Sequence, residues 1–237
     1  MTWLWRICFS GLLVLLPAWC ASVKGNAELA DSRDPGVRRH DFKGVVVWLE
    51  PAGGDPPRRI PPRRYVMAQK GKHFNPHVLA IPVGSTVDFP NNDPFFHSVF
   101  SKYDGQPFEV NLYKPNTSRE VVFKSAGIVR VFCNIHPTMS AVIAVLDSPW
   151  SAVSDAAGAF EIRDVPPGNY TLHVFHERAT DETLHKLIKA ISVENGPQLL
   201  PAIHISETGY IPAPHKNKWD KDYPPVIDDQ PAYHPNP

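Results

Sequence analysis

Short runs of alternating apolar and polar side chains follow one another along most of this 237-residue chain, and this period of two is typical of half-buried β-strands. Residues 108–113 and 120–123 show the alternation most clearly. Within residues 129–145, two Val- and Ile-rich runs flank a short loop and indicate strands buried on both faces. Since residues 44–146 contain no stretch with helical periodicity, we predict an all-β fold in which two sheets pack as a sandwich.

A second set of strands follows this region. Residues 155–162 and 165–174 alternate around a Pro-Pro-Gly turn, and residues 186–193 and 199–205 supply further strand. The turn and its flanking strands resemble the carboxypeptidase-regulatory-like or transthyretin-like β-sandwich, which implies a structural or binding module. Residues 148–206 are few for an independent hydrophobic core, so we expect this module to pack on the first sandwich.

Four potential metal ligands accompany the strands. Cys133, His136 and Met139 lie on the loop between the two apolar runs, and His97 follows a turn-rich segment earlier in the chain. Thiolate and thioether favour Cu(I), whereas imidazole accepts both copper oxidation states. A His₂Cys set with a weak axial Met is therefore the arrangement of a blue-copper electron-transfer site. The alternative is a chance cluster in which Cys133 is an inert core residue.

Residues 91–99 and 129–139 resemble the two ligand loops of the cupredoxin family, with the short Cys-x-x-His-x-x-Met spacing of its amicyanin-like members. The resemblance covers residues 44–147 and implies a Greek-key β-sandwich that binds one type 1 copper ion. By this likeness the copper ligands are His97, Cys133, His136 and Met139. Ser98 stands where many relatives have Asn after the first His, and we expect its hydroxyl to hydrogen-bond to the backbone near Asn134.

The resemblance implies a carrier of single electrons between periplasmic redox partners, such as a dehydrogenase and a cytochrome. Copper enzymes of this fold typically carry a His-Cys-His phrase that connects the blue site to a second centre. Here Cys133 is flanked by Phe132 and Asn134, so we do not predict an enzyme. Two alternatives remain open: a periplasmic copper chaperone or storage protein, and a metal-free structural or carbohydrate-binding β-protein.

In cupredoxins the second His ligand reaches the surface through an apolar patch. In this chain the patch would consist of Pro94, Phe95 and Pro137 around His136, and it would let a redox partner approach the imidazole edge. The alternative is that Phe95 and Phe96 both point into the core.

The first residues are typical of a secretory signal peptide, which we place at residues 1–27. Arg6 precedes an apolar stretch, residues 7–16, that is too short to span a bilayer comfortably. Two cleavage sites fit this segment, one near Ala21 and one after residues 25–27. We favour the second because small residues flank it. A lipoprotein signal needs a small residue before the cysteine, whereas Trp19 precedes Cys20, so we predict no lipid anchor. We therefore expect a periplasmic protein without a stable membrane anchor.

Composition supports this compartment. Of three cysteines, Cys8 and Cys20 fall in the signal segment, which leaves Cys133 alone in the mature chain. An unpaired thiol in an oxidising compartment is vulnerable unless a metal occupies it. Lys plus Arg and Asp plus Glu are equal at 24 each, so the net charge gives no reason to expect a nucleic-acid partner.

The remaining segments carry weaker signals. We interpret residues 28–43 as a mobile linker and residues 207–237 as a Pro-rich disordered tail. One loop contains four arginines, Arg58, Arg59, Arg63 and Arg64. It could be a docking surface for an acidic partner, but we favour the interpretation that it is a solvated loop. His73 and His77 could suggest a second metal site, but no carboxylate or Cys stands at ligand spacing beside them. We therefore expect both to be exposed loop histidines.

Overall fold

The computed structural model describes residues 21–38, 40–53, 61–102, 105–211 and 215–224. The elements, in chain order, are β1 (Ala21–Ala30), α1 (Pro35–Arg38), β2 (Val46–Pro51), β3 (Arg64–Val66), β4 (Ala68–Lys70), β5 (His73–Asn75), β6 (Val78–Pro82), β7 (Thr86–Pro90), β8 (His97–Ser101), β9 (Phe108–Tyr113), β10 (Ser118–Val122), β11 (Gly127–Cys133), β12 (Ser140–Leu146), β13 (Ser151–Val153), β14 (Ala159–Val165), β15 (Gly168–Phe175), α2 (Asp181–Leu187), β16 (Lys189–Val193), β17 (Pro197–Leu199) and β18 (Ile203–Ser206). The predicted all-β fold is confirmed, and the described part of residues 44–146 contains no helix.

The first sandwich holds the candidate ligands. Its larger sheet has the strand order β6-β12-β11-β8-β9, and it faces a smaller sheet of order β10-β7-β3 beside the hairpin β4-β5. Along β11, the alternate residues Val129, Val131 and Cys133 point into the core between the sheets, where they meet Phe89 and Phe123. The thiol therefore belongs to the inward-facing row of a buried strand.

The second sandwich is built from both ends of the described chain. One sheet has the order β13-β2-β15-β16, and the other has β1 between β14 and β17, with β18 also paired to β1. Their shared core includes Val23, Val47, Trp150, Ile162 and Leu172. The first sandwich is thus inserted in the sequence between β2 and β13.

This arrangement corrects one domain boundary that we expected from the sequence. Residues 44–49 do form strand, but β2 pairs with β13 and β15 and so belongs to the second sandwich, not to the predicted domain of residues 44–147. Strand pairing across more than a hundred residues is not visible in a local pattern, because any alternating strand can complete either sheet.

The expected cleavage after residues 25–27 also does not fit the structure. β1 runs through that point and buries Ala21, Val23, Ala27 and Leu29 in the second core. The small residues that suggested cleavage have a packing role: a Cβ on Gly25 would lie 2.4 Å from the Phe160 ring. The predicted linker of residues 28–43 is likewise strand at its beginning, and the expected signal segment before Ala21 lies outside the described residues.

The two sandwiches share a third apolar cluster, which confirms the expectation that they pack together. The inward row of β12 fills the first core, whereas its outward row, Val142, Ala144 and Leu146, meets Val46 and Phe175 of the second sandwich. Burial of both faces explains why β12 is a continuous apolar run instead of an alternating one.

Smaller differences concern the later segments. Lys186 and Leu187 were expected in a strand but end α2, a helix that begins after Thr180, whose hydroxyl accepts a hydrogen bond from the Thr183 amide at 3.3 Å. The predicted disordered tail also holds ordered contacts. Glu207 is buried against Arg178 at 2.9 Å, and residues 215–224, which we term the C-terminal segment, pack on the first sandwich.

Two further findings bear on the surface. Arg64 pairs with Asp88 and Glu120 at the edge of the smaller sheet, while Arg58 and Arg59 lie outside the described residues. Within the described ranges, no helix has the length and apolar character needed to cross a membrane.

Candidate metal centre

Two neighbouring strands bring the first two candidate ligands together. His97 begins β8 and Cys133 ends β11, and these antiparallel strands place Cys133 opposite Val99. One residue past the end of β11, the Asn134 amide donates to the Ser98 carbonyl of β8 at 2.8 Å. Ordinary sheet pairing therefore fixes the separation of the two ligand-bearing segments.

A tight loop supplies the other two candidates. The Cys133 amide donates to the Met139 carbonyl at 3.0 Å, and the Met139 amide donates to the His136 carbonyl at 3.1 Å. These bonds close the chain between β11 and β12 and leave little freedom for residues 133–139. Met139 is 1% exposed and belongs to the same core cluster as Cys133.

The ligand atoms of three side chains converge. Cys133 Sγ lies 3.6 Å from His97 Nδ1 and 3.3 Å from His136 Nδ1. Among the described residues, these three form the group of His, Cys, Asp or Glu side chains whose ligand atoms all lie within 4.8 Å of one another. His97 and Cys133 are fully buried and His136 is 8% exposed.

Asp93 fixes the orientation of His97. Its Oδ2 accepts a hydrogen bond from His97 Nε2 at 2.9 Å, which leaves Nδ1 with a lone pair directed toward the thiol. The carboxylate is itself held by the Gly71 amide at 2.6 Å and the Lys72 amide at 3.1 Å. Although burial opposes ionisation, these backbone donors and His97 keep the pKa of Asp93 below its usual value.

Burial sets the protonation state of the metal-free cluster. It raises the pKa of the Cys133 thiol and lowers that of His97, against the opposing effect of Asp93. Burial, together with His97 and Lys72, lowers the pKa of His136 to about 4. At neutral pH the cluster is thus a thiol and two neutral imidazoles, and a metal ion held there would displace the thiol proton.

Aromatic contacts enclose the cluster. The Phe95 ring lies 5.4 Å from the His97 ring and 5.3 Å from the His136 ring, centroid to centroid. Phe95 and Phe96 are both half-buried, so neither is a residue of the core. Pro94 is exposed and Pro137 half-buried, which leaves an apolar surface at the end of the sandwich beside His136.

The expected role of the Ser98 hydroxyl is corrected. This hydroxyl donates to the Val110 carbonyl on β9 at 3.0 Å, and the bond to the ligand loop is made instead by the Ser98 backbone carbonyl. Any residue supplies a backbone carbonyl, so the register of the two loops does not depend on this side chain.

Sequence reasoning missed several residues around the cluster. Asp93 stands four positions before His97, a spacing that could have indicated an orienting carboxylate. Tyr223 gave no local signal, yet its hydroxyl donates to the Cys133 carbonyl at 2.7 Å. The Asn134 side chain likewise accepts from the Lys218 amide at 2.9 Å.

His73 and His77, which we considered as a second metal site, lie away from the cluster. His73 is exposed and its ring bonds the Gly71 carbonyl at 2.6 Å. His77 pairs with Glu177 at 2.7 Å across the junction of the two sandwiches, and this carboxylate raises the pKa of His77. His77 therefore joins the sandwiches electrostatically, with a partner that the sequence did not indicate.

Comparison with known proteins gives partial likenesses. The chain is 37% identical over 60 residues to the methylamine utilization protein MauL of Methylorubrum extorquens, a match that covers 25% of this chain and 53% of MauL. The chain thus spans about half the length of this curated relative. No model of a known protein family matches the chain.

Solved cupredoxins also resemble part of the chain. A purple cupredoxin from Nitrosopumilus maritimus is 23% identical with a TM-score of 0.32, covering 35% of this chain and 99% of the cupredoxin. An oxidised amicyanin variant is 16% identical with a TM-score of 0.33, covering 44% of this chain and 99% of the amicyanin.

Proposed function

We propose that this protein is a periplasmic type 1 copper protein that carries single electrons between redox partners. One copper ion would be held by His97 Nδ1, Cys133 Sγ and His136 Nδ1, with Met139 as a weak axial ligand. The observation that carries the proposal is the convergence of these three buried ligand atoms within 4.8 Å.

The donor set fits copper better than the other common metals. A thiolate with two imidazoles suits a soft or borderline ion, and the absence of a carboxylate from the set disfavours Mg²⁺ and Ca²⁺. A structural zinc site commonly has four strong ligands, whereas Met139 adds a thioether, a donor typical of copper. When bound, copper supplies a one-electron change between Cu(I) and Cu(II).

The surrounding residues favour fast electron transfer. Sheet pairing holds the two ligand segments, Asp93 holds the His97 ring, and the backbone bonds of Met139 close the ligand loop. A donor set fixed in this way rearranges little when its charge changes. Complete burial of Cys133 also argues against a chaperone, because a chaperone needs an exposed site for exchange.

His136 is the proposed exit for the electron. Its ring lies nearest the surface of the three converging side chains and contacts Phe95 beside Pro94 and Pro137. A small apolar contact excludes water yet lets a partner dissociate quickly, as is typical of electron-transfer complexes. We propose a dehydrogenase or cytochrome as partner, and the name of the matched MauL makes an amine-oxidising dehydrogenase the first electron donor to test.

The proposal is tested by titrating the metal-free protein with copper and then following electron exchange with a cytochrome and with an amine dehydrogenase. We expect one copper per chain and reversible reduction without loss of the metal. The alternative, a copper chaperone, would release its copper to a chelator within the mixing time and would exchange no electrons with either protein.

A further inference from the structure

The C-terminal segment covers the outer side of the loop that carries Cys133 and His136. Phe132 points away from the core occupied by Cys133 and packs on Phe100 at 5.8 Å. The His215 ring stacks on Phe132 with a centroid distance of 4.1 Å and an interplanar angle of 29°. An outward-facing aromatic pair on the ligand-bearing strands is thus covered by residues far along the chain.

Two hydrogen bonds connect the segment to the backbone and side chain next to the thiol. The Tyr223 hydroxyl donates to the Cys133 carbonyl at 2.7 Å, and the Lys218 amide donates to Asn134 Oδ1 at 2.9 Å. The peptide that follows Cys133 is therefore held on both sides: the segment bonds its carbonyl, and the Ser98 carbonyl of β8 accepts from its amide at 2.8 Å.

The segment has its own folded shape. The Asn217 side chain, 8% exposed, accepts from the Trp219 amide at 3.0 Å and from the Lys221 amide at 3.1 Å. Ion pairs tie its surface to the first sandwich, one between Lys218 and Glu109 and one between Asp220 and Lys102. Because exposed ion pairs contribute little, the contacts with the ligand loop are the specific ones.

We propose that the C-terminal segment positions Cys133, so that docking of the segment and metal binding stabilise each other. This inference rests on the proposed function. A metal held by Cys133 and His136 would favour the loop conformation whose Cys133 carbonyl and Asn134 side-chain oxygen face the segment. Two events that require the same conformation are coupled, and thermodynamic linkage makes the coupling reciprocal.

The size of the coupling follows from the contacts. One hydrogen bond contributes on the order of a fivefold change in an equilibrium constant. We therefore expect metal binding to slow amide hydrogen exchange of Lys218 and Lys221 about fivefold, and Tyr223→Phe to weaken metal binding by up to about fivefold. Tyr223→Phe keeps the ring and removes the hydroxyl, which bonds the Cys133 carbonyl and also lies 3.3 Å from His215 Nδ1 within the segment. Asn134→Ala leaves that internal contact in place and so serves as the second test variant.

The experiment uses the full chain with two ions: Cu(I) without dioxygen, and Zn²⁺ as a redox-inactive probe. Metal affinity by chelator competition and amide exchange with and without metal are measured for wild type, Tyr223→Phe and Asn134→Ala. The matched control is Tyr210→Phe, a tyrosine beside the cavity of Asp31 and Glu207, away from the ligand loop. We expect reduced affinity in both test variants and wild-type affinity in the control.

Metal-independent exchange of the segment in wild type, or wild-type affinity in the folded test variants, overturns the inference. If Tyr223→Phe does not fold, Asn134→Ala and the wild-type exchange comparison still decide it. The proposed function can fail independently of this inference. A wild type that binds Zn²⁺ but lacks the copper charge-transfer band would contradict the proposed electron transfer. The role of the segment would still be tested by its response to Zn²⁺.

Discussion

The Nε2 atom of His97 lies 2.9 Å from Oδ2 of Asp93, and this contact leaves the other ring nitrogen of His97 facing the Cys133 thiol. Asp93 is 5% exposed, and backbone amides occupy both of its oxygens. The carboxylate thus selects one tautomer of the imidazole and fixes the ring before any metal binds.

Replacement of Asp93 by Asn is expected to weaken copper binding by about 10-fold or more, because an amide holds the His97 ring less firmly than a carboxylate. Chelator competition measures the affinity. Asp88→Asn is the control, since Asp88 is a carboxylate of the same sandwich that pairs with Arg64 instead. Equal copper affinity in Asp93→Asn and wild type would contradict the orienting role of Asp93.

Met139→Leu is expected to retain copper and to raise the reduction potential, since loss of a weak axial donor destabilises Cu(II) more than Cu(I). Protein film voltammetry measures the potential. Met67→Leu is the matched control, because Met67 is equally buried in the same core. A lower potential in Met139→Leu would count against an axial thioether.

Much of the candidate ligand cluster could be predicted from the sequence, because its signals are local. Cys133, His136 and Met139 lie within a few residues, and the apolar runs beside them mark buried strands. The direction of each side chain follows from strand alternation, which places Cys133 in the same inward row as Val129 and Val131.

The missed features depend on contacts between distant residues. β1 was hidden because Ala21, Gly25 and Ala27 are small, a property that serves both a cleavage site and a strand packed against Phe160. The bond of Tyr223 to the Cys133 carbonyl joins residues 90 positions apart. No periodicity encodes such a contact, so it required the folded chain.

A charge beside His136 should slow electron exchange without changing the metal site. Ile135 is 40% exposed next to His136, and Ile135→Asp places like charges face to face when two molecules meet. We expect self-exchange, measured by NMR line broadening in mixtures of both oxidation states, to slow by about tenfold at low salt.

The control for this surface is Val66→Asp, which adds the same charge at a residue that is 52% exposed on β3. Its self-exchange rate should match wild type, and both variants should keep the wild-type absorption. Equal rates in all three proteins would show that the electron leaves by another surface.

The stability of the metal-free protein should fall as the pH drops from about 6.5 toward 4. Burial lowers the pKa of His176 to about 4; Arg178 and His77 add to this effect, whereas Glu207 and Glu177 oppose it. Since the unfolded chain takes up a proton near pH 6.5 and the folded chain does not, stability is lost on acidification through this window.

His176 should account for about 2 kcal/mol of the change between pH 7 and 5. Urea unfolding at both pH values measures it, and His176→Gln should show a shallower pH dependence than wild type. The difference between the two proteins reports His176 together with its charge interactions with Glu177 and His77. Identical pH dependence would show that His176 does not remain neutral in the fold.

The visible absorption spectrum of the copper-loaded protein, beside that of Cys133→Ser, tests the central claim most directly. Charge transfer from a thiolate to Cu(II) gives an intense visible band, and no other thiol of the described residues can replace Cys133. We predict a strong band in wild type and none in Cys133→Ser. A colourless copper-loaded wild type, or a variant that keeps the band, would contradict the account.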